Sequence, residues 1–159
     1  MNPTRRSLLG AAAAAGALIG GTGPALGAAG SVPSFVDAIV DLSRDAKGQV
    51  HVERVALVGP TGASGTLPLS DDEIADLQGT LAGGDFTVWQ QRGLRADGRK
   101  FVFVKHDDQG MVVHAVRPGE FLTLRVDADR IVMATSGPGM AHGRAVEAVY
   151  QFCRRAPVA

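Results

Sequence analysis

From residue 34 onward, apolar and polar positions follow two different periods, and the change of period divides the chain into helices and strands. Phe35, Ile39 and Leu42 recur at four- and three-residue steps with Val36 and Val40 beside them, while Asp37, Asp41, Arg44 and Asp45 take the other face. With Pro33 before it and Lys47-Gly48 after it, this pattern predicts an amphipathic helix of about three turns. Val50 to Val58 is rich in β-branched residues and reads as a strand, closed by the turn Gly59-Pro60-Thr61-Gly62. Ser70-Asp71-Asp72-Glu73 then has the capping-box form, in which the Ser70 hydroxyl accepts from the Glu73 amide and the Glu73 carboxylate reaches back. Ile74, Leu77 and Leu81 give that second helix its apolar stripe, and Gly83-Gly84 stops it.

Beyond Gly84 the period falls to two. Phe86 to Gln91, Arg99 to His106, Met111 to Arg117, Phe121 to Val126 and Arg130 to Thr135 are short apolar-rich runs. The connections between them are too short for parallel crossovers, so successive strands are expected to pair antiparallel as a meander. Ser136-Gly137-Pro138-Gly139 ends the meander, and Met140 to Arg155 returns to helical spacing, with Ala141, Ala145, Ala148, Val149 and Phe152 on one side. Arg154 and Arg155 suit the negative end of that helix. The order predicts an α+β domain: an antiparallel meander sheet with the N- and C-terminal helices packed on one face.

Composition narrows the function classes. The 159 residues carry 16 basic against 16 acidic side chains, and a chain with no net charge has no global reason to bind nucleic acid. A single cysteine forms no internal disulfide, and four scattered histidines supply no zinc-ligand spacing, so neither a metal nor a cofactor is expected. The apolar share is uneven. Residues 1–29 hold Arg5 and Arg6, no acidic residue, and an Ala/Gly/Leu run from Leu8 to Ala29, the form of an export signal. Thr4-Arg5-Arg6-Ser7-Leu8-Leu9 resembles the twin-arginine export motif, with a general secretory signal as the alternative. Ala and Gly dilute the run too much for a stable membrane anchor. Cleavage is expected before Ala28 or before Gly30, the latter leaving 30–159 as the mature domain in the periplasm or outside the cell. Loss of the leader turns the charge balance from 16:16 to 14 basic against 16 acidic.

The mature chain resembles the profilin family over nearly its whole length, from about Ser31 to Arg155. Ser34-Phe35-Val36-Asp37 is similar to the family's opening helix, and Val55-Ala56-Leu57-Val58-Gly59 to its first central strand and turn. Gly93-Leu94, followed by Gly98-Arg99-Lys100-Phe101-Val102-Phe103-Val104, resembles the family's Gly-Leu and Gly-x-Lys-aromatic strand. Phe121-Leu122-Thr123-Leu124-Arg125 and Arg130-Ile131-Val132-Met133 resemble its last two strands. Gly137-Pro138-Gly139 leads into Ala145-Val146-Glu147-Ala148-Val149 as the family's turn leads into its last helix. The resemblance implies a non-enzymatic binding protein whose partner is a protein or a proline-rich peptide, with phosphoinositides as a further family ligand. For the peptide it implies an aromatic groove between the terminal helices, where Val32, Phe35 and Phe152 are the candidates and Gly65 falls near a tryptophan platform of the family. Phe35 and Phe152 also read simply as residues that pack the two helices together. For actin it implies a surface including Arg125, Arg130, Arg144 and Glu147, although an exported protein does not ordinarily meet cytoplasmic actin. The phosphoinositide reading lacks a basic cluster, since Lys100, Lys105 and Arg125 are dispersed among acids.

A search for chemistry returns little. Gly59-Pro60-Thr61-Gly62-Ala63-Ser64-Gly65-Thr66 follows a strand, but it lacks a Walker lysine and opens no helix, so a hairpin accounts for the glycines. His106, Asp107 and Ser136 are the residue types of a triad without its spacing. His114 is expected to pack within its strand and His142 to cap the last helix. Trp89 and Cys153 are expected in the core. The competing function class is a periplasmic small-molecule sensor or carrier, because a sheet flanked by helices readily forms a pocket.

Overall fold

The computed structural model describes the backbone of residues 34–107, 110–115 and 119–155, and side chains over the same range except 105–118. The export motif, its cleavage sites and Val32 lie outside the described residues. Helix α1 spans Phe35–Leu42, shorter than its pattern, and local side chains set both ends. The Ser34 hydroxyl accepts from the Asp37 amide at 3.2 Å, and the Ser43 hydroxyl donates back to the Val40 carbonyl at 2.7 Å. Asp45 then accepts from the amides of Lys47 and Gln49, both at 2.9 Å, which holds a turn in place of another helical one.

Strand β1 covers Arg54–Gly59 and β2 covers Gly62–Gly65, two arms of a hairpin around Pro60 and Thr61. Residues 50–53 approach the sheet without joining it, apart from the Glu53 amide on the Thr135 carbonyl at 2.7 Å. Only glycine fits at Gly65: its φ is +127° and a Cβ there would lie 2.2 Å from the Val55 carbonyl oxygen. Helix α2, Asp71–Gly83, has both arms of the expected capping box and ends on Gly84 at φ +69°.

The run Phe86 to Gln91 is not a strand. Residues Thr87–Arg92 form a short helix, α3. Asp85 accepts from the Thr87 amide at 3.1 Å and turns the chain into it, while Phe86 and Trp89 meet three residues apart with ring centroids at 5.3 Å. Strands β3 (Leu94–Ala96), β4 (Arg99–Asp107), β5 (Gly110–Ala115), β6 (Phe121–Asp127) and β7 (Arg130–Ser136) follow, and α4 (His142–Arg155) ends the fold. The β3–β4 hairpin turns through Asp97 at φ +54° and Gly98 at φ +67°, the pair of positive angles a two-residue primed turn requires.

All seven strands pair antiparallel in the order β2-β1-β7-β6-β5-β4-β3, so the expected meander is present and the first strand docks beside the last. Strand parity sends side chains to two cores. Val55, Val132 and Ala134 face α1 and α4 as expected, whereas Ala56, Val58, Leu122, Leu124, Ile131 and Met133 face α2 and α3. That second core also holds Leu94, Ala96 and Phe101 from the far end of the sheet. In a flat sheet those residues would be roughly 20 Å from β1, at about 4.8 Å per strand. The sheet therefore curls around α2 and α3, and Arg54 of β1 reaches Asp97 of the distant hairpin at 2.9 Å.

Candidate functional site

Helix α4 lies beside α1 over the sheet, with Ala145, Ala148, Val149 and Cys153 buried beneath it. Small side chains at three of those positions let the helix sit close to β7. Phe35 and Phe152 are both partly buried against this cluster, so two of the three peptide-groove candidates come to one place and serve as packing residues there. Gly65, the tryptophan-platform position, sits instead in β2 at the sheet edge.

The other candidates distribute along α4. Arg125 lies on β6 with its guanidinium 4.5 Å from the centre of the Tyr150 ring, and Arg154 approaches the same ring at 5.7 Å. The Arg125 Nε and Nη1 are buried and have no hydrogen-bond partner among the described residues. Arg130 is held by Asp127, at 2.9 Å from its Oδ2, and lies 6.0 Å from the Phe152 ring. Arg144 and Glu147 are exposed on the helix, and Glu147 accepts from Gln151 at 2.7 Å. Tyr150, which braces Arg125, escaped the sequence reading. Its only signal was its place next to buried Val149 on the helix.

The start of α4 is fixed at two points. The Ser136 hydroxyl and His142 Nδ1 lie 3.1 Å apart, and the His142 ring stacks on Phe121 at 4.4 Å. Buried His51 accepts the Ala141 amide on Nδ1 at 2.9 Å. A backbone amide only donates, so the ring proton sits on Nε2 and points to Asp45, 3.0 Å away. That hydrogen bond, followed by the Gln49 and Lys47 amides, holds the Asp45 carboxyl below the usual carboxylate value. This contact joins residues 90 positions apart and had no signature in the sequence.

Beyond α4 the same sheet face continues onto β4. The ladder Ser136–Phe121–His114–Val102 puts Val102 on the face of Phe121, and Val102 is 48% exposed. Val104, at the irregularity in the β4–β5 pairing, is 58% exposed. The two exposed valines of β4 lie two strands from Arg125 of β6.

No triad assembles. Ser136 is buried and engaged with His142, while His106 and Asp107 lie on β4, three strand spacings away at about 4.8 Å each. The glycine-rich run is the β1–β2 hairpin, as expected. Trp89 is buried in the α2-side core. Burial, and then Asp127, push the Cys153 thiol up to about 11, so it is a small core residue and not a thiolate. Among the described residues no helix is long and apolar enough to cross a membrane, and no three His, Cys, Asp or Glu side chains are grouped to hold a metal.

No family model matches the chain. Among curated proteins it is similar to a profilin of Strongylocentrotus purpuratus, 26% identical over 126 residues that cover 73% of this chain and 89% of the relative. A profilin of Suberites domuncula is 29% identical over 125 residues, with the same coverage of 73% and 89%. Solved structures agree on architecture. Mouse profilin IIa, in complex with a double repeat from the FH1 domain of mDia1, superposes with a TM-score of 0.55 at 15% identity, covering 76% of this chain and 91% of that one. LokiProfilin2, in complex with rabbit actin, gives 0.57 at 11% identity, covering 78% and 96%. The chain has the profilin fold: an antiparallel sheet with N- and C-terminal helices on one face.

Proposed function

We propose that this chain is an exported, non-enzymatic binding protein of the profilin type, taking a protein or peptide partner on the face formed by α1, α4 and the strands from β4 to β7. The observation that carries the reading is the likeness in sequence and fold to profilins over 73% to 78% of the chain, two of those profilins solved with a protein or peptide partner. Two local features support it. Phe35 and Phe152 keep part of their surface exposed at the helix pair, where a polyproline helix, with flat rings and little entropy to lose, is the suited ligand. Arg125 is held in place by the Tyr150 ring on this face, and its cation suits a carboxylate on a partner. With Arg130, Arg144 and Glu147 it forms the surface proposed for an actin-like partner.

Calorimetric titration of the full chain with a proline-rich peptide and with actin monomers tests the reading. Binding of the peptide that weakens about tenfold in Phe152→Ala, or of actin that weakens likewise in Arg125→Ala, is expected, since anchors in an interface cost more than about 1.4 kcal/mol on truncation. Binding of neither confines the likeness to fold. Trp89 is a poor reporter for this assay because it is buried in the core on the opposite side of the sheet. Export is tested by fusing residues 1–29 to a folded reporter. Arrival outside the cytoplasm that is lost when Arg5 and Arg6 become lysine supports the twin-arginine route, and retention of the intact fusion overturns it.

A further inference from the structure

A cleft of about 350 Å³ opens where the first turns of α2 stand beside the edge strand β3, and none of the residues named for partner binding lines it. Its size is within the roughly 300 to 1,000 Å³ of small-ligand sites, but such sites are mostly apolar and this one is not. All of its lining side chains are charged: Asp72, Glu73 and Asp76 from α2, and Arg92, Arg95 and Lys100 from α3 and the β3–β4 hairpin, around Gly93.

Three of those groups already have partners, although Glu73 keeps its negative charge. Buried Glu73 accepts the Ser70 amide on Oε2 at 2.9 Å and the Gly98 amide on Oε1 at 2.8 Å, so both its oxygens tie the hairpin and the helix start together. Asp76 and Arg92 form an ion pair with each other. The other three groups form no ion pair among the described residues: Asp72 on one wall, Arg95 and Lys100 on the other. Arg95 and Lys100 are direct partners in the β3–β4 ladder, and like charges placed opposite one another across strands destabilise the pairing. A hairpin of three-residue pairing has little to set against that repulsion. A bound anion would remove it.

We propose that this cleft binds a small acidic amino acid, with its carboxylates on Arg95 and Lys100 and its ammonium on Asp72. The unoccupied groups carry two positive charges and one negative, which is the complement of an amino dicarboxylate. Arg95 presents the planar fork that takes a carboxylate through two parallel hydrogen bonds. This inference is independent of the partner-binding reading, since none of the residues named for that reading lines the cleft and either can fail alone.

Calorimetry and amide chemical shifts on the full chain, with L-glutamate, glutarate, L-lysine and inorganic phosphate as probes, test it. Glutamate is expected to bind saturably and to move the amide signals of Gly93 and Gly98. Glutarate, which lacks the amine, is expected to bind several-fold more weakly, and Asp72→Asn should erase that preference. Arg95→Gln and Lys100→Gln should each weaken glutamate tenfold or more, Lys100→Arg should retain it, and Lys47→Gln, on a remote exposed turn, should leave it unchanged. All these positions are exposed, and a melting temperature that does not fall separates loss of the site from loss of the fold. Absence of saturable glutamate binding, equal binding of lysine or phosphate, or an equal effect of Lys47→Gln overturns the proposal.

Discussion

The two faces of the sheet are packed by opposite means. On the α2 side the core is made of large side chains, with Trp89, Phe101 and Met133 fully buried among leucines and Ile131. On the terminal-helix side the centre is made of Ile39 with Ala134, Ala145, Ala148, Cys153 and valines, and its aromatic residues, Phe35 and Phe152, sit at the margin. A core filled by large groups excludes everything else. A core of small groups draws helices close to the sheet and leaves bulky side chains for the rim, where they remain accessible to a partner. The asymmetry separates stability from recognition: the side with the larger buried side chains contributes more to holding the fold, and the side with aromatic residues at its margin is the one available for binding.

That contrast is broken most severely at Trp89. Replacing it by alanine empties the largest buried side chain of the α2-side core, and Phe/Trp→Ala changes in cores cost about 3–5 kcal/mol. Urea unfolding should show a loss of that order, close to unfolding the chain. Trp89→Phe should cost clearly less, because the indole Nε1 is buried without a hydrogen-bond partner and phenylalanine removes that unsatisfied donor. The reverse insult belongs on the other side. Ala148→Leu inserts three carbons where α4 rests on the sheet, and overpacking of this kind costs about 1–3 kcal/mol. It should lower stability and also perturb the binding face, whereas Trp89→Phe should leave binding untouched. If both variants changed binding alike, the proposed division between the faces would be wrong.

The legible parts of the structure are those whose causes are local. Ser70 and Glu73 announce the start of α2 because both arms of the cap lie within four residues, and Gly84 announces its end. The long meander strands are legible from alternation, since each has one face in a core. The errors fall where a distant contact decides. Phe86, Val88 and Trp89 satisfy a period of two almost as well as a helical turn, and it is the fit of Trp89 into a core formed by β1, β4 and β7 that selects the helix. Strand β2 escaped because Gly-Ala-Ser-Gly has nothing to alternate, and β3 because three residues are too few to show a period. At the candidate site, Phe35, Phe152 and the four charged positions were named through family resemblance. The brace of Arg125 on Tyr150, the tie of His51 to Ala141 and the charged cleft beside β3 all join residues far apart in sequence.

The His51 tie offers a milder way to sharpen the comparison, because it fixes the terminal-helix side alone. Asp45 has a folded pKa below its ordinary 3.8, owing first to the His51 hydrogen bond and then to the Gln49 and Lys47 amides. Its contribution is therefore present above the unfolded value and lost as pH falls through the lower, folded one. Melting temperature should drop below about pH 4. Asp45→Asn should flatten that acid limb and lower stability at neutral pH, with the loss appearing first in amide exchange at the start of α4. Loss appearing first in α2 would contradict the assignment of the tie to one face.

The smallest effect on stability is expected at the exposed valines, and it is the most informative about function. Val102 and Val104 lie on the face beyond α4, at 48% and 58% exposure, and surface substitutions of this kind usually stay within about 0.5 kcal/mol. Val102→Ser with Val104→Ser should leave the unfolding midpoint nearly unchanged. An apolar strip used as an interface loses its driving force when made polar, so the same pair should weaken a partner that covers β4 by about 1–3 kcal/mol, roughly 0.8 kcal/mol for each methylene equivalent removed from the contact. Equal affinity of the double variant and the parent would move the interface off β4 and onto the helix pair, where Phe35 and Phe152 would carry it alone.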